Sequence, residues 1–409
     1  MTLEIRPISA DELEDFVYAN RYSFNEDRSP GALHEAIIRA GERAEFGQRL
    51  AAFLDGRLAA GLTLLPLTIR INGAELSMSG VSGVACLPEY RRKGFVGELL
   101  KRSLFDMHDR GEVISALYTP HVGLYRRYGW EAAARNVRYS FEPKSVKTRV
   151  APPATGRARR VTEDDWALLN DIYEDYAAGR NCVIVRPEHW WRQRIFDWSH
   201  GVTDAAVWEN GDGQARGYVI YQTRTIVPHD RPWPSSRLWL RELVTTDAEA
   251  YVALVNYLLS HDIHDYIEMS VPFDDPLLDL VDDPHQVRIE AWSSLMLRLV
   301  NVVEALRTRG CLPQAEERRF ALRVRDRVLP WNDATWMIEA AEGRLNVEPY
   351  QGSADISLEA TVLASVFNGH LSIREGARAG LIDGTNANAL ETATKVFSLD
   401  RPPFCLDYF

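Results

Sequence analysis

Val84-Ala85-Cys86-Leu87-Pro88-Glu89-Tyr90-Arg91-Arg92-Lys93-Gly94 passes from an apolar strand, through a proline that stops it pairing, into a basic loop ending in glycine. The residues that follow, Phe95 to Leu104, place Val96, Leu99, Leu100 and Leu104 on one face of a helix. A strand, a basic loop and a helix start in this order make a pyrophosphate cradle. The free N–H groups of the helix's first turn carry partial positive charge, Gly94 lets backbone come close, and Arg91 and Arg92 add charge. The loop is neither G-x-x-x-x-G-K-[ST] nor G-x-G-x-x-G. Taken alone, it fits a solvated basic helix start equally well.

Working outward, the residues before the loop read as antiparallel strands. Leu3 to Arg6 is a strand stopped by Pro7, and Ser9 or Asp11 caps a helix through Leu13, Phe16 and Val17. Arg49 to Leu54, a strand through Leu62, Leu64 and Leu65, and Leu76 to Cys86 are joined by Asp55-Gly56 and Asn72-Gly73, both hairpin signals. After the helix comes a buried strand, Val113 to Tyr118, so the crossover is strand-helix-strand. A Pro-rich basic stretch, residues 144–160, reads as a linker.

The plan then repeats. A helix from Glu163 to Tyr176 and another carrying Trp190, Trp191 and Trp198 precede strands at Ala205–Trp208, Gly217–Thr223 and Leu238–Val244 and a helix at Ala248–Leu259. The three tryptophans read as core or domain contacts. The loop here is Thr245-Thr246-Asp247-Ala248, without glycine or arginine, and an aspartate at a helix start repels phosphate. The second copy therefore reads as a duplicate without cofactor binding. A third segment begins near Leu295 with an expected helix, Leu297 to Leu306. Strands at Phe320–Val324, Thr335–Glu339 and Ile356–Leu358 follow, with helices at Ala360–Phe367 and Ala387–Phe397.

The 409 residues exceed one ordinary core and predict two or three domains. A hydrophobic share of 46% and a charged share of 26% describe a globular chain. No membrane span and no secretory signal are expected. Cys86, Cys182, Cys311 and Cys405 show no C-x-x-C spacing, so no metal site and reduced cytoplasmic thiols are expected. Cys86 and Cys405 read as small buried hydrophobes. The net charge of −11 argues against nucleic-acid partners; it suits cationic ligands or plain solubility.

A second motif follows the Val113–Tyr118 strand: His121-Val122-Gly123-Leu124-Tyr125-Arg126-Arg127-Tyr128-Gly129-Trp130. His121 by itself reads as a cap or surface group. The two motifs together resemble the GNAT superfamily of N-acetyltransferases, whose cofactor loop reads R-x-x-G-x-G/A and whose later unit ends in Y-x-R/K-x-G-F/W. The resemblance implies acetyl-CoA as cosubstrate. It places the backbone of Val84, Ala85 and Cys86 along pantetheine, and Arg91, Arg92, Lys93, Gly94, Val96 and Gly97 around pyrophosphate. Val96 departs from the usual Gly or Ala, with Gly97 one place later. Tyr125 matches the tyrosine that protonates the departing thiolate, a task open to a phenol with a pKa near 10. Strand N–H groups near Val84 would meet the oxyanion.

Over its whole length the chain resembles the Eis family. This implies an α+β protein of two tandem GNAT-type mixed-sheet domains, residues 1–143 and 161–293, then a sterol-carrier-protein-like domain, residues 294–409. In that family the tail returns to the first active site and its last carboxylate is the general base, here Phe409, and assembly as a homo-oligomeric hexamer is usual. Implied acceptors are primary amines of aminoglycosides, polyamines or lysine side chains. Phe24, Glu26 and Asp27, close to where the family admits amines, read either as a substrate-binding wall or as an exposed loop, and Asp407 leaves the same choice open. The rival expectation is a non-catalytic protein whose tail holds a lipid or other small apolar ligand.

Overall fold

The computed structural model describes residues 2–42, 48–197, 202–226, 235–384 and 387–409; Trp198 lies outside them. The chain divides into two compact units: Met1–Ala133 with Leu295–Leu399 and Tyr408–Phe409, and Ala134–Ser294 with Asp400–Asp407.

The first unit is built on a mixed sheet whose strands lie in the order Leu3–Pro7, Arg49–Leu54, Arg57–Ile71, Ala74–Cys86, Ile114–Tyr118, Leu295–Leu299, Glu131–Ala132. Both expected hairpin turns are present. Asp55 and Gly56 have φ of 49° and 79°, and Asn72 and Gly73 have φ of 50° and 78°, the left-handed pairs that a type I′ turn needs. Helix Phe95–Asp109 links two parallel neighbours, Ala74–Cys86 and Ile114–Tyr118. It buries Leu99, Leu100, Leu104 and Met107 against Leu62, Leu64, Val81 and Leu117 of the sheet. A second sheet runs in the order Arg344–Pro349, Thr335–Ala341, Arg319–Arg325, Ile356–Glu359, Ile382–Gly384, with helices Ala360–Phe367 and Ala387–Phe397 beside it. The fully buried Arg309 donates to the carbonyls of Phe367, Val396 and Phe397 at 2.7, 3.1 and 3.1 Å, satisfying the C-terminal ends of both helices.

The second unit has one sheet, ordered Arg288–Ser293, Arg135–Phe141, Tyr266–Val271, Ser235–Thr245, Ala215–Ile226, Thr203–Glu209, Arg157–Val161. Its single parallel pair, Ser235–Thr245 with Tyr266–Val271, is again bridged by a helix, Ala248–Leu259.

Three expectations change. Leu295–Leu299 is a strand paired with Ile114–Tyr118, and the helix begins only at Val302, behind an Asn301 cap. All five strand residues are buried, and such a run does not alternate, so periodicity alone does not separate it from a helix. Arg135–Phe141 lies in the second unit's sheet, not with the first 143 residues. Residues 157–160 of the expected linker belong, with Val161, to an edge strand, Arg157–Val161, paired with Thr203–Glu209. No described helix is long and apolar enough to cross a membrane. No group of three or more metal-ligating side chains occurs among the described residues.

Candidate active site

Two parallel strands part where the first motif begins. Their register runs from Met78↔Ile114 to Val81↔Leu117 and goes no farther. On its other edge, Ala74–Cys86 slips register: Thr63 faces Ser82 but Gly61 faces Ala85, so Gly83 and Val84 together oppose Leu62. Such a bulge bends its strand, and it lies just past the last parallel pair, Val81 with Leu117. Gly83 takes φ 60°, and its carbonyl accepts from the Asn20 side chain at 2.9 Å, which pins helix Leu13–Ser23 to the bulge. The gap lies at the carboxyl ends of parallel strands, where open sheets bind ligands. Val84 is itself in the bulge, and Ala85 and Cys86 continue the strand beyond it.

The basic loop follows at once. Pro88–Tyr90 form a single 3-10 turn, Arg92 is left-handed at φ 62°, and Gly94, at φ 87°, stands before the first turn of helix Phe95–Asp109. No side chain caps that helix, so its first-turn N–H groups face outward beside the exposed Arg91, Arg92 and Lys93. Arg91 Nε donates to the Cys86 carbonyl at 3.1 Å and ties loop to strand. Val96 is half-buried against the sheet core. Gly97 is buried, and a Cβ there would meet the Tyr128 hydroxyl at 1.9 Å. The two motifs therefore touch through this glycine. The bare first turn, the left-handed loop residues and the parted strands fit a pyrophosphate with an extended arm.

Tyr125 sits on the short helix Val122–Arg126, buried in the same apolar cluster as Val84 and Cys86, with its ring 6.2 Å from Trp130, edge to face. Burial pushes its phenol up to about 12, partly offset by a hydrogen bond from Thr119. It is a donor throughout the physiological range. Burial also raises the Cys86 thiol, against the pull of Arg91 and Lys93, which leaves it a poor nucleophile.

Phe409 returns to the same strands. Its ring covers Gly80, where a Cβ would lie 2.7 Å from Cε2, beside Leu67; Tyr118 contacts it edge-on at 5.4 Å and Tyr408 at 4.5 Å from the Tyr118 ring. Val81 and Leu117, one residue along from Gly80 and Ala116, pack toward helix Phe95–Asp109, so Phe409 lies on the opposite sheet face.

The Phe24–Asp27 stretch continues the helix that Asn20 pins to the bulge. Phe24 is 54% exposed. Glu26 pairs with Arg21 at 3.1 Å. Asp27 accepts from the Ser29 backbone and hydroxyl, and these bonds hold its carboxyl below the ordinary value. Asp407 is placed differently. It is fully buried, and its oxygens accept from Arg186 and Trp190. It belongs to a packed network, so the exposed-loop alternative does not describe it. His121 precedes the Tyr125 helix without capping it through its side chain. Sequence reasoning missed Gly80, Asn20, Thr119 and Tyr128. Gly80 and Gly83 inside a strand were the available signal.

Residues 4–133 match the acetyltransferase (GNAT) domain family, residues 182–299 match a second acetyltransferase (GNAT) domain family, and residues 302–406 match the sterol carrier protein domain. The chain belongs to the GNAT acetyltransferases. Among these it has the Eis-type arrangement, two GNAT domains and a sterol carrier domain, and it is an N-acetyltransferase using acetyl-CoA. It is similar to an uncharacterized N-acetyltransferase of Streptomyces griseus, 27% identical with 100% of both chains covered. It is also similar to the N-acetyltransferase Eis of Mycobacterium bovis, 25% identical over 86% of this chain and 83% of that one. Among solved structures, Eis1 from Mycobacterium abscessus superposes with a TM-score of 0.82 at 27% identity, over 99% of this chain and 100% of that chain. A GCN5-related N-acetyltransferase from Anabaena variabilis shares the fold, with a TM-score of 0.88 at 21% identity over both whole chains. The non-catalytic rival gives way to this membership. In GNAT terms, the parted strands and the Arg91–Gly97 loop are the parts suited to hold acetyl-CoA. The second GNAT domain lacks that cradle: Asp247 caps its helix by accepting from Ala250 at 2.8 Å and pairs with Arg216 at 2.9 Å.

Proposed function

We propose that this GNAT enzyme acetylates primary amines of polycationic acceptors, such as aminoglycosides, polyamines or lysine side chains, by direct transfer. The observation that carries the reading is the placement of Phe409 on Gly80 and Tyr118, next to where the strands part; Tyr125, on the short helix that follows the Ile114–Tyr118 strand, packs on the other face of the same sheet. When bound, acetyl-CoA supplies the acetyl thioester. The Phe409 carboxylate draws in the acceptor ammonium and takes up its proton, through water if need be, freeing the lone pair that attacks the acetyl carbon. Backbone N–H groups near Val84 meet the charge growing on the carbonyl oxygen. Tyr125 donates its hydrogen to the sulfur as the C–S bond breaks. With its phenol near 12 against a thiol of about 8.5, full transfer is uphill, so hydrogen-bond stabilisation of the leaving sulfur is the larger share of its work. The net charge of −11, with Glu26 and Asp27 beside the pinned helix, favours cationic acceptors. A cytoplasmic homo-hexamer completes the reading, and sedimentation of the purified chain tests the assembly.

Thiol release from acetyl-CoA across a panel of aminoglycosides, polyamines and lysine peptides tests the function. Tyr125→Phe and removal of Phe409 are each expected to lower kcat by roughly 10²- to 10⁴-fold, with the acetyl-CoA KM little changed. A wild-type chain that releases no thiol with any of these amines sinks the acceptor assignment.

A further inference from the structure

The second unit repeats the device that opens the first sheet. Its antiparallel pair slips register where Ile220 faces Glu242 but Tyr221 faces Leu240, leaving Arg241 as the extra residue. Its parallel pair runs from Arg237↔Tyr266 to Leu240↔Met269 and stops just before that bulge. In the first sheet the parallel pair likewise stops at Val81, just before the Gly83–Val84 bulge. The second unit therefore has the gap without the phosphate cradle, and Asp247 caps the helix start that would form it.

Something else is bound at this gap. Glu242, the first residue past the bulge, is fully buried. Arg186 forks onto it at 2.7 and 3.0 Å, and Tyr218 donates to it at 2.9 Å. The same guanidinium donates through Nε to both oxygens of Asp407 at 3.0 and 3.1 Å, and Trp190 adds a 2.6 Å bond to Asp407. Tyr173 and Trp191 lie against the Arg186 cation at 4.0 and 4.8 Å. Upstream of Asp407 the segment is held along its backbone. Phe404 N–H donates to the Asn181 carbonyl, and the Asn181 side chain donates to the Arg401 carbonyl, both at 3.0 Å. Phe404, Cys405, Leu406 and Asp407 are all buried. Arg241, 3.6 Å from Glu242, makes two cations and two carboxylates in one buried cluster. Such a cluster holds only while every member is present, because losing one leaves a buried charge unmatched.

We propose that the parted strands of the second GNAT unit are a peptide-binding site whose ligand is this chain's own segment Asp400–Asp407, with Asp407 as the recognised carboxylate and Arg186 as its receptor. The site turns a disused acetyl-transfer gap into an anchor. Asp407 stands two residues before Phe409, so the anchor restricts Phe409 to a reach of about 7 Å. Arg186 and Asp407 are thus positioning residues; this last consequence rests on the base assigned to Phe409 above.

Hydrogen exchange on the full-length chain, read together with kcat, tests the site. In Asp407→Asn and Arg186→Met the amides of Phe404 to Asp407 are expected to exchange at least about 10²-fold faster, while those of Ala74–Val81 stay protected. The double variant is expected to lose no more than Arg186→Met alone, since both act on one contact. If Arg186→Met does not fold, Trp190→Phe removes a single bond to Asp407 and is read at the same amides. Unchanged protection of Phe404–Asp407 in the folded variants, or additive losses in the double variant, overturns the site. The two readings separate through kcat. Faster exchange with unchanged kcat keeps the anchor and removes Phe409 from the chemistry, whereas a kcat lost on removing Phe409 but unmoved exchange in Asp407→Asn does the reverse.

Discussion

Gly97 carries no side chain because Tyr128 stands in the way: a Cβ would lie 1.9 Å from its hydroxyl and 2.9 Å from Cζ. That contact joins the cofactor helix to the short helix carrying Tyr125, so it bears on two motifs at once. Gly97→Ala is expected to cost about 1–3 kcal/mol through overpacking and to raise the acetyl-CoA KM. Adding Tyr128→Phe removes the obstructing oxygen and is expected to recover most of both losses, as read by thermal melting and thiol-release kinetics. A Gly97→Ala chain with wild-type melting and KM would contradict the contact. Gly129 is constrained twice. Its φ is 96°, and a Cβ would fall 2.5 Å from Cζ of Arg298, whose Nη2 donates to both oxygens of Asp326 at 2.8 and 2.7 Å. The glycines of both motifs were visible in the sequence; the partners that forbid a side chain were not, since Arg298 and Asp326 lie in another segment.

Among the elements, those whose cause is local were legible. The two I′ hairpins and the apolar face of helix Phe95–Asp109 appear as read, since turn chemistry and helical spacing are written in adjacent residues. The Leu297–Leu299 half of strand Leu295–Leu299 reads as helix because the strand's reason to exist is distant: Leu295 pairs with Tyr118 and Leu299 with Ile114. The strand also brings Met296 into the core that holds Tyr125 and Trp130. A chain ended at Ser294 therefore lacks a strand of the first sheet although it keeps every residue of both GNAT motifs. Such a chain is expected to be insoluble or to bind no acetyl-CoA by calorimetry. Wild-type affinity in a soluble truncation would show the strand dispensable.

On the scale of the whole molecule, the three-part architecture and the packed, apolar tail were legible, the first from repeated patterns and the second from aromatic residues where frayed ends are polar. The role of Asp407 was not, because a carboxylate looks alike in sequence whether it faces water or a buried arginine. Stability against pH has a traceable contributor in Asp275. Burial pushes its carboxyl up to about 6, although Tyr251 at 2.8 Å and the Leu277 N–H at 3.0 Å donate to it. A raised carboxylic pKa means that the folded state holds its proton more tightly than the unfolded one. The charge therefore destabilises above pH 6, and the cost fades as pH falls from 6 toward 3.8. Asp275→Asn is expected to be more stable than wild type at pH 7.5, by at most about 3 kcal/mol in chemical denaturation, with most of the advantage gone near pH 4. An equal difference at both pH values would assign the effect elsewhere. The late position of Leu295–Leu299 also has a consequence for synthesis. As the chain leaves the ribosome, Tyr118 waits for its neighbouring strand until the whole of Ala134–Ser294 has been made, roughly 9 to 35 s at ordinary elongation rates. During that interval the nascent first sheet has an open edge at Ile114–Tyr118, so chaperone demand should peak before the third segment emerges and fall once it does.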